Sequence, residues 1–366
     1  MITIFSPAIP EEAVERATAT LRSGWISEGR QVREFEEDFC RYLRLPRALA
    51  VNSGTAALHL ALLGAGVGSG DEVITTCQSF VATAMAVLYA GAHPVFADLQ
   101  PGGTNLDPKD VERRVGERTK AIVVVHYGGY PCDMDEFHEI GERHGLAVVE
   151  DAAHALGATY RGQPVGSLGD FAVFSFQAIK QLTTGDGGML VCNMDEDHRS
   201  AYRRRWFGID REGRKSSELG QPAWDISEVG YKYHMNDIAA SLGIAQLPLL
   251  GACLEQRREL NHRYRSELDG LDGISLLHEE ADREGACWLF TVLVERRLDF
   301  IRAMRARGVE ATVHHDRIDR NSLFGGLRDD VPVQDAFSEQ QVCLPLRHSL
   351  TDDEATAVLT AVKRGW

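Results

Sequence analysis

Between residues 48 and 195, short apolar runs alternate with amphipathic stretches, and that alternation restricts the fold more than any other feature of the chain. The runs at 47–51, 72–76, 93–97, 121–126, 147–150, 171–176 and 189–192 are rich in Val, Ile, Ala and Phe. Between most of them, residues 55–63, 79–89, 108–115 and 134–144 space their apolar positions as a helix does. A strand that is apolar along its whole length has no solvent face, so helices must cover both sides of its sheet. The alternation predicts an α/β protein with a mostly parallel central sheet, its last three strands joined by shorter turns.

Residues 194–235 break the pattern. They are polar, rich in Arg and Gly, and poorly periodic, and read as a descending helix followed by a long functional loop. Helical spacing returns at 236–249 and 254–268, before a strand–helix–strand tail at 288–294, 297–307 and 341–344. The expected organisation is a large domain over residues 1–250, including the N-terminal segment, and a smaller C-terminal α/β domain over 251–366. A chain of 366 residues, 44% hydrophobic, can bury a substantial core.

A net charge of −15 argues against nucleic acid or an anionic membrane as partner, though not against a small anion in a local basic pocket. The seven cysteines form no C-x-x-C pair, so reduced thiols and a cytoplasmic location are expected. No signal-peptide pattern opens the chain, and the apolar runs are too short to span a bilayer.

Two tempting motifs fail on spacing. The glycines of GAGVGSG (64–70) follow a helix instead of opening one, which makes them a helix stop. His138, Glu139 and His144 resemble a zinc-protease motif, but the second His falls on the wrong face, so no metal site is expected.

Three other segments carry chemistry. In VNSGTAALHLAL (51–62) a strand gives way to Ser53-Gly54-Thr55, small residues opening a helix whose N-terminus suits a phosphate. Taken alone, Ser53 or Thr55 is more often a simple N-cap. GLAVVEDAAHALGA (145–158) ends a strand with Glu150 and Asp151 and places His154 three residues on. In DFAVFSFQAIKQLTTGDGGML (170–190), Lys180 lies between two apolar strands, where loss of water lowers an amine's pKa towards a usable nucleophile. Together, a phosphate-suited helix end, an acid at one strand end and a lysine past the next are what pyridoxal 5′-phosphate requires.

The chain resembles the DegT-type nucleotide-sugar aminotransferases, which have the aspartate aminotransferase fold, fold type I of the pyridoxal-phosphate-dependent transferases. The resemblance runs through SGWISEGRQVREFEEDF (23–39), NSGTAALHLAL, QSFVATAMAVLYAGAHPVFAD (78–98), HYGGYPCDMD (126–135), EDAAHALGA, SFQAIKQLTTGDGG and GYKYHMNDIAASLGIAQL (230–247). It implies that Lys180 is the Schiff-base lysine and Asp151 the partner of the pyridine nitrogen. By the same resemblance Gly54, Thr55 and Ala56 cradle the phosphate with Ser175, Phe80 stacks on the cofactor ring, and His154 lies near its 3-oxygen. Asn236 would reach the phosphate of a neighbouring subunit, which implies a homodimer with shared active sites.

Two segments depart from the commoner family pattern. Gln177-Ala178-Ile179 replaces His-Pro-Thr before the lysine, and VHHDRIDRNSLF (313–324) replaces a His-Tyr-x-Pro pattern. With RRWFGIDRE (204–212), these look like the branch that acts on 4-keto-6-deoxy sugars linked to dTDP. The implied reaction is a ping-pong transamination from glutamate to such a keto sugar nucleotide; a 3-keto sugar or keto-cyclitol is the alternative acceptor. A silent cofactor-binding regulator of the same fold is disfavoured by the intact Lys180, Asp151 and Ser175. The substrate's diphosphate calls for positive charge, and two regions offer it. One runs from Arg199 to Lys215, with seven basic residues, Arg211 among them, against two acids. The other holds His314, His315, Arg317 and Arg320.

Overall fold

The computed structural model describes residues 1–211, 213, 215, 216, 218 and 220–366. Its main sheet has seven strands in the order Ala48–Val51, Gly188–Cys192, Phe171–Ser175, Ala147–Asp151, Thr119–Val125, Glu72–Thr76 and His93–Ala97. Neighbours run parallel except Gly188–Cys192, which is antiparallel to both of its partners. The reversal goes with the connection: residues 176–187 hold no helix, and a parallel return is usually made through one.

Helices Gly54–Gly64, Ala82–Tyr89, Pro108–Arg114 and Met134–His144 provide crossovers and cover the apolar strands. Two N-terminal helices outside the strand–helix alternation, Glu11–Ser23 and Arg30–Leu43, pack on helix Asp237–Gln246. That contact is close: a Cβ on Gly243 would stand 2.5 Å from the Phe35 ring. The helical run 237–268 is long and apolar enough for a membrane span, yet 61% of its most apolar window is buried within the fold. It serves as a core helix.

A second apolar core lies around the antiparallel strands Ile274–Leu276, Phe290–Val294 and Gln341–Leu344, and includes Tyr264, Phe300, Met304 and Val358. Ile2 packs against this core, while Ile4 is buried with Tyr127, Trp288, Leu289 and Cys343. Ile2 bridges Val309 and donates its N–H to the Gly308 carbonyl at 2.8 Å, while the Ile4 amide donates to Glu310.

Candidate active site

Strands Ala48–Val51, Glu72–Thr76, Ala147–Asp151 and Phe171–Ser175 point the same way, so their carboxyl ends share one edge of the sheet. Residues just past those ends surround a cavity of about 400 Å³, a size suited to a small molecule.

The helix Gly54–Gly64 opens on this cavity. Ser53 caps it: its Oγ accepts the Ala56 N–H at 3.1 Å and its carbonyl accepts the Ala57 N–H at 3.2 Å. The first N–H groups of a helix have no intrahelical acceptor, so those of Gly54 and Thr55 are left for an anion at the positive end of the helix dipole. Gly188 on the adjacent strand permits this arrangement, since a Cβ there would stand 2.5 Å from the Ser53 carbonyl carbon and 2.6 Å from the Gly54 nitrogen. Ser175 lines the same wall. Ala56, expected in the cradle, gives its N–H to Ser53 and does not line the cavity.

Asp151 ends its strand almost fully buried. One carboxylate oxygen accepts the Thr83 hydroxyl at 2.7 Å, and the other accepts the Ala153 amide at 3.3 Å. Burial raises its pKa, opposed by the Thr83 and Ala153 hydrogen bonds and by the charge of Lys180. Among the described residues it forms no ion pair, so the protonated nitrogen of a pyridine ring would be a fitting partner. Glu150, one residue earlier, points to the opposite face, as strand alternation requires. It accepts the Gly166, Leu168 and Gly169 amides and the His126 Nε2–H at 3.1 Å. That tautomer is fixed because His126 Nδ1 accepts the Cys132 amide.

Lys180 lies in the turn after Phe171–Ser175, with its ammonium nitrogen 3.8 Å from the Trp288 ring centroid. Removal from water lowers its pKa from 10.5 to about 7, and the Asp151 carboxylate pulls the other way. Trp288 is fully buried and donates its indole N–H to the Ile179 carbonyl at 3.0 Å. His154 stacks on Trp288 with ring centroids 3.8 Å apart, and His315 is nearly parallel to His154 at 5.4 Å. Burial pulls all three site histidines to low pKa: His154 falls well below its usual value, His314 to about 4 and His315 to about 2. The Lys180 charge and the mutual proximity of the rings act in the same direction. His154 Nδ1, His314 Nε2 and His315 Nε2 are buried without a hydrogen-bond partner. Phe80 stands 58% exposed at the cavity, so it is not a core residue.

Other expected site residues lie elsewhere. Arg317 does not line the cavity: buried at 3% exposure, it pairs with Asp319 at 2.6 Å and with Asp335. Arg320 pairs with Asp316 at 2.8 Å. The basic stretch is largely neutralised from distant parts of the chain. Arg203 and Arg204 pair with Glu228, Arg205 with Glu28 and Glu36, and Arg211 with Glu28. Arg211 also lies over the Trp206 ring at 4.8 Å, while Arg214 and Glu212 fall outside the described residues. Asn236 caps helix Asp237–Gln246 by accepting the Ala239 N–H at 2.9 Å. Sequence reasoning missed Ser79, Thr83 and Trp288. The first two had a faint signal, hydroxyls one helical turn apart on either side of Phe80; Trp288 had none, being one more apolar residue in an apolar run.

A lysine kept close to neutrality, an acid placed for a ring nitrogen and a helix N-terminus placed for a phosphate define a pyridoxal-phosphate-dependent transferase of fold type I. The sequence model of the DegT/DnrJ/EryC1/StrS aminotransferase family matches residues 7–363, and the chain belongs to that family. It is similar to the UDP-4-amino-4-deoxy-L-arabinose–oxoglutarate aminotransferase of Shewanella sediminis, with 34% identity over 97% of this chain and 96% of the relative. Among solved structures, the sugar aminotransferase CalS13 from Micromonospora echinospora superposes with a TM-score of 0.95 at 35% identity, covering 100% of both chains. Spr1654 from Streptococcus pneumoniae, solved in PMP and PLP forms, matches the fold as well. Its PMP form gives a TM-score of 0.92 at 30% identity over 99% of this chain and 97% of its own. The protein is a sugar aminotransferase that uses pyridoxal 5′-phosphate.

Proposed function

We propose that this sugar aminotransferase moves the amino group of glutamate to the keto carbon of a sugar nucleotide, a dTDP-4-keto-6-deoxyhexose. The observation that carries the reading is a single cavity holding the Lys180 amine, the buried Asp151 and the open end of helix Gly54–Gly64, beside His154, His314 and His315 with unpartnered ring nitrogens. The relative from Shewanella sediminis is named for a 4-amino sugar nucleotide and for oxoglutarate, which supports position 4 and the glutamate–oxoglutarate pair. The RRWFGIDRE and VHHDRIDRNSLF segments support the dTDP-linked branch.

Bound pyridoxal phosphate supplies an electron sink for the carbanion formed at the donor carbon. The Gly54 and Thr55 amides, with the Ser175 hydroxyl, would hold its phosphate, and Asp151 would keep the ring nitrogen protonated. Burial lowers the Lys180 pKa to about 7, so near neutral pH it is within reach of both the neutral amine that attacks and the ammonium that carries a proton. The neutral histidines offer hydrogen bonds to sugar hydroxyls without adding charge that would compete with the Lys180 ammonium.

The same reading includes a homodimer with shared sites, in which Asn236 serves the partner's cavity, and Arg211 binds substrate. Trp25 at 78% and Val229 at 75% exposure are large apolar side chains of the kind that association covers. Mass spectrometry of products from a panel of 3-keto and 4-keto nucleotide sugars tests the acceptor. An amine formed at C4 of the dTDP-linked sugar is expected, and exclusive turnover of a 3-keto sugar overturns the reading. Lys180→Ala should lose transfer altogether.

A further inference from the structure

Asp151 is held by two hydroxyl groups from a segment more than sixty residues away, and their hydrogen bonds have a direction. Thr83 Oγ1 lies 2.7 Å from Asp151 Oδ2, and Ser79 Oγ lies 2.9 Å from Thr83 Oγ1. All three side chains are at most 4% exposed, and all three line the cofactor cavity. A threonine hydroxyl has one proton, and an ionised carboxylate can only accept. With Asp151 ionised, Thr83 must therefore donate to it, and Ser79 must donate to Thr83. A proton on Asp151 Oδ2 would oppose the Thr83 proton unless the whole chain reversed, and one on Oδ1 would leave the Ala153 amide facing a hydroxyl, whereas both oxygens of the ionised acid simply accept. The geometry fits the charged acid without rearrangement.

The relay grows from one turn of chain. Ser79 and Phe80 precede helix Ala82–Tyr89, and Thr83 follows Ser79 by four residues, so both hydroxyls face inward while Phe80 projects at the cavity. The groups that bear on Asp151 are the Thr83 hydroxyl, the Ala153 amide, and the Lys180 and His126 side chains. Of the two direct hydrogen bonds, the Ala153 contact is the longer at 3.3 Å, which leaves Thr83 as the principal donor.

We propose that Ser79 and Thr83 form a hydroxyl relay that fixes Asp151 in its ionised, ring-facing pose and thereby sets how tightly the chain retains pyridoxal phosphate. Thr83 and Ser79 are positioning residues, acting through Asp151. The inference rests on Asp151 being the partner of the ring nitrogen, so the test must separate the two claims.

The holoenzyme and its Thr83→Val, Thr83→Ser, Ser79→Ala and Asp151→Asn variants are compared for the dissociation constant of pyridoxal phosphate, by dialysis and absorbance, with thermal unfolding as a control on folding. Valine keeps the shape of threonine and removes only the hydroxyl. Loss of a hydrogen bond to a charged group predicts roughly tenfold weaker retention for Thr83→Val. Thr83→Ser should restore retention to within about twofold, since the donor is present again, and Ser79→Ala should fall between. Retention by Thr83→Val equal to that of the parent overturns the relay, and so does a Thr83→Ser variant as impaired as Thr83→Val. If Thr83→Val fails to fold, unchanged retention in Ser79→Ala overturns it alone. Unchanged retention in Asp151→Asn instead removes the Asp151 assignment itself.

Discussion

The ammonium nitrogen of Lys180 lies over the face of Trp288, 3.8 Å from the ring centroid, and the same indole donates its N–H to the carbonyl of Ile179, next to the lysine in the chain. One side chain thus grips the lysine loop at both its backbone and its charged end. Trp288 is anchored from two sides: its amide donates to the Gly128 carbonyl, just past strand Thr119–Val125, at 2.9 Å, and strand Phe290–Val294 begins two residues later. The Lys180 amine is positioned jointly by the large sheet and the smaller one.

Burial lowers the Lys180 pKa from 10.5 to about 7, so the folded chain binds fewer protons than the unfolded one between those values. Stability from this group therefore rises with pH from about 7 towards 10.5 and is lowest below 7. If Lys180 is the Schiff-base lysine, the same shift governs capture of pyridoxal phosphate by the stripped protein, for which the neutral amine is the nucleophile. Stopped-flow absorbance should show a capture rate that increases with pH around a midpoint near 7. Asp151→Asn should move that midpoint down, because the carboxylate favours the ammonium form. A midpoint above 9 would contradict the desolvated setting.

Gly188→Ala is expected to release cofactor while leaving most of the fold intact. The new Cβ would press on the Ser53–Gly54 backbone, and backbone cannot rotate aside. Displacing the Gly54 and Thr55 amides should weaken retention by about tenfold or more, comparable to losing one or two charge-assisted hydrogen bonds. Far-UV circular dichroism and cofactor titration together check this.

Arg317→Ala should unfold more easily without altering substrate recognition. The guanidinium is buried between Asp319 and Asp335, and removing one member of a buried pair costs about 3–5 kcal/mol. Urea denaturation should register the loss, while the KM for the sugar nucleotide stays within about twofold, a change of a few tenths of a kcal/mol. A large rise in KM at unchanged stability would return Arg317 to the substrate.

Mixing two inactive variants tests the shared site. If Asn236 serves the partner's phosphate, Lys180→Ala subunits combined with Asn236→Asp subunits form hybrids in which one of the two sites keeps both residues. Activity should recover to about a quarter of the parent's, from one intact site in half of a randomly mixed dimer population. No recovery, with hybrids present by native mass spectrometry, would leave Asn236 as a helix cap only.

Much of the site was legible because its parts are local. A strand ending in an acid, a strand opening into Ser-Gly-Thr, and a lysine beside a Gly-rich turn each have a sequence signature, and the sheet brings them to one edge. Capping was not legible: Ser53 takes the third amide of the helix, that of Ala56, leaving those of Gly54 and Thr55. The partners of the basic stretch were hidden for a different reason. Counting charge along the chain registers Arg203, Arg204 and Arg205 but not Glu28, Glu36 and Glu228, which fold against them.

The sequence by itself determined the strand–helix alternation, and with it the mostly parallel sheet, the shared edge of strand ends, and Lys180 and Asp151 as the pair that meets there. These follow from backbone hydrogen bonding and apolar periodicity, which act over a few residues at a time. Only the tertiary structure decided which charges are already neutralised, which hydroxyls face Asp151 and which aromatic ring lies against Lys180. Those depend on contacts between residues tens to hundreds of positions apart, where Coulomb attraction and packing follow distance in space and leave no periodic mark in the chain.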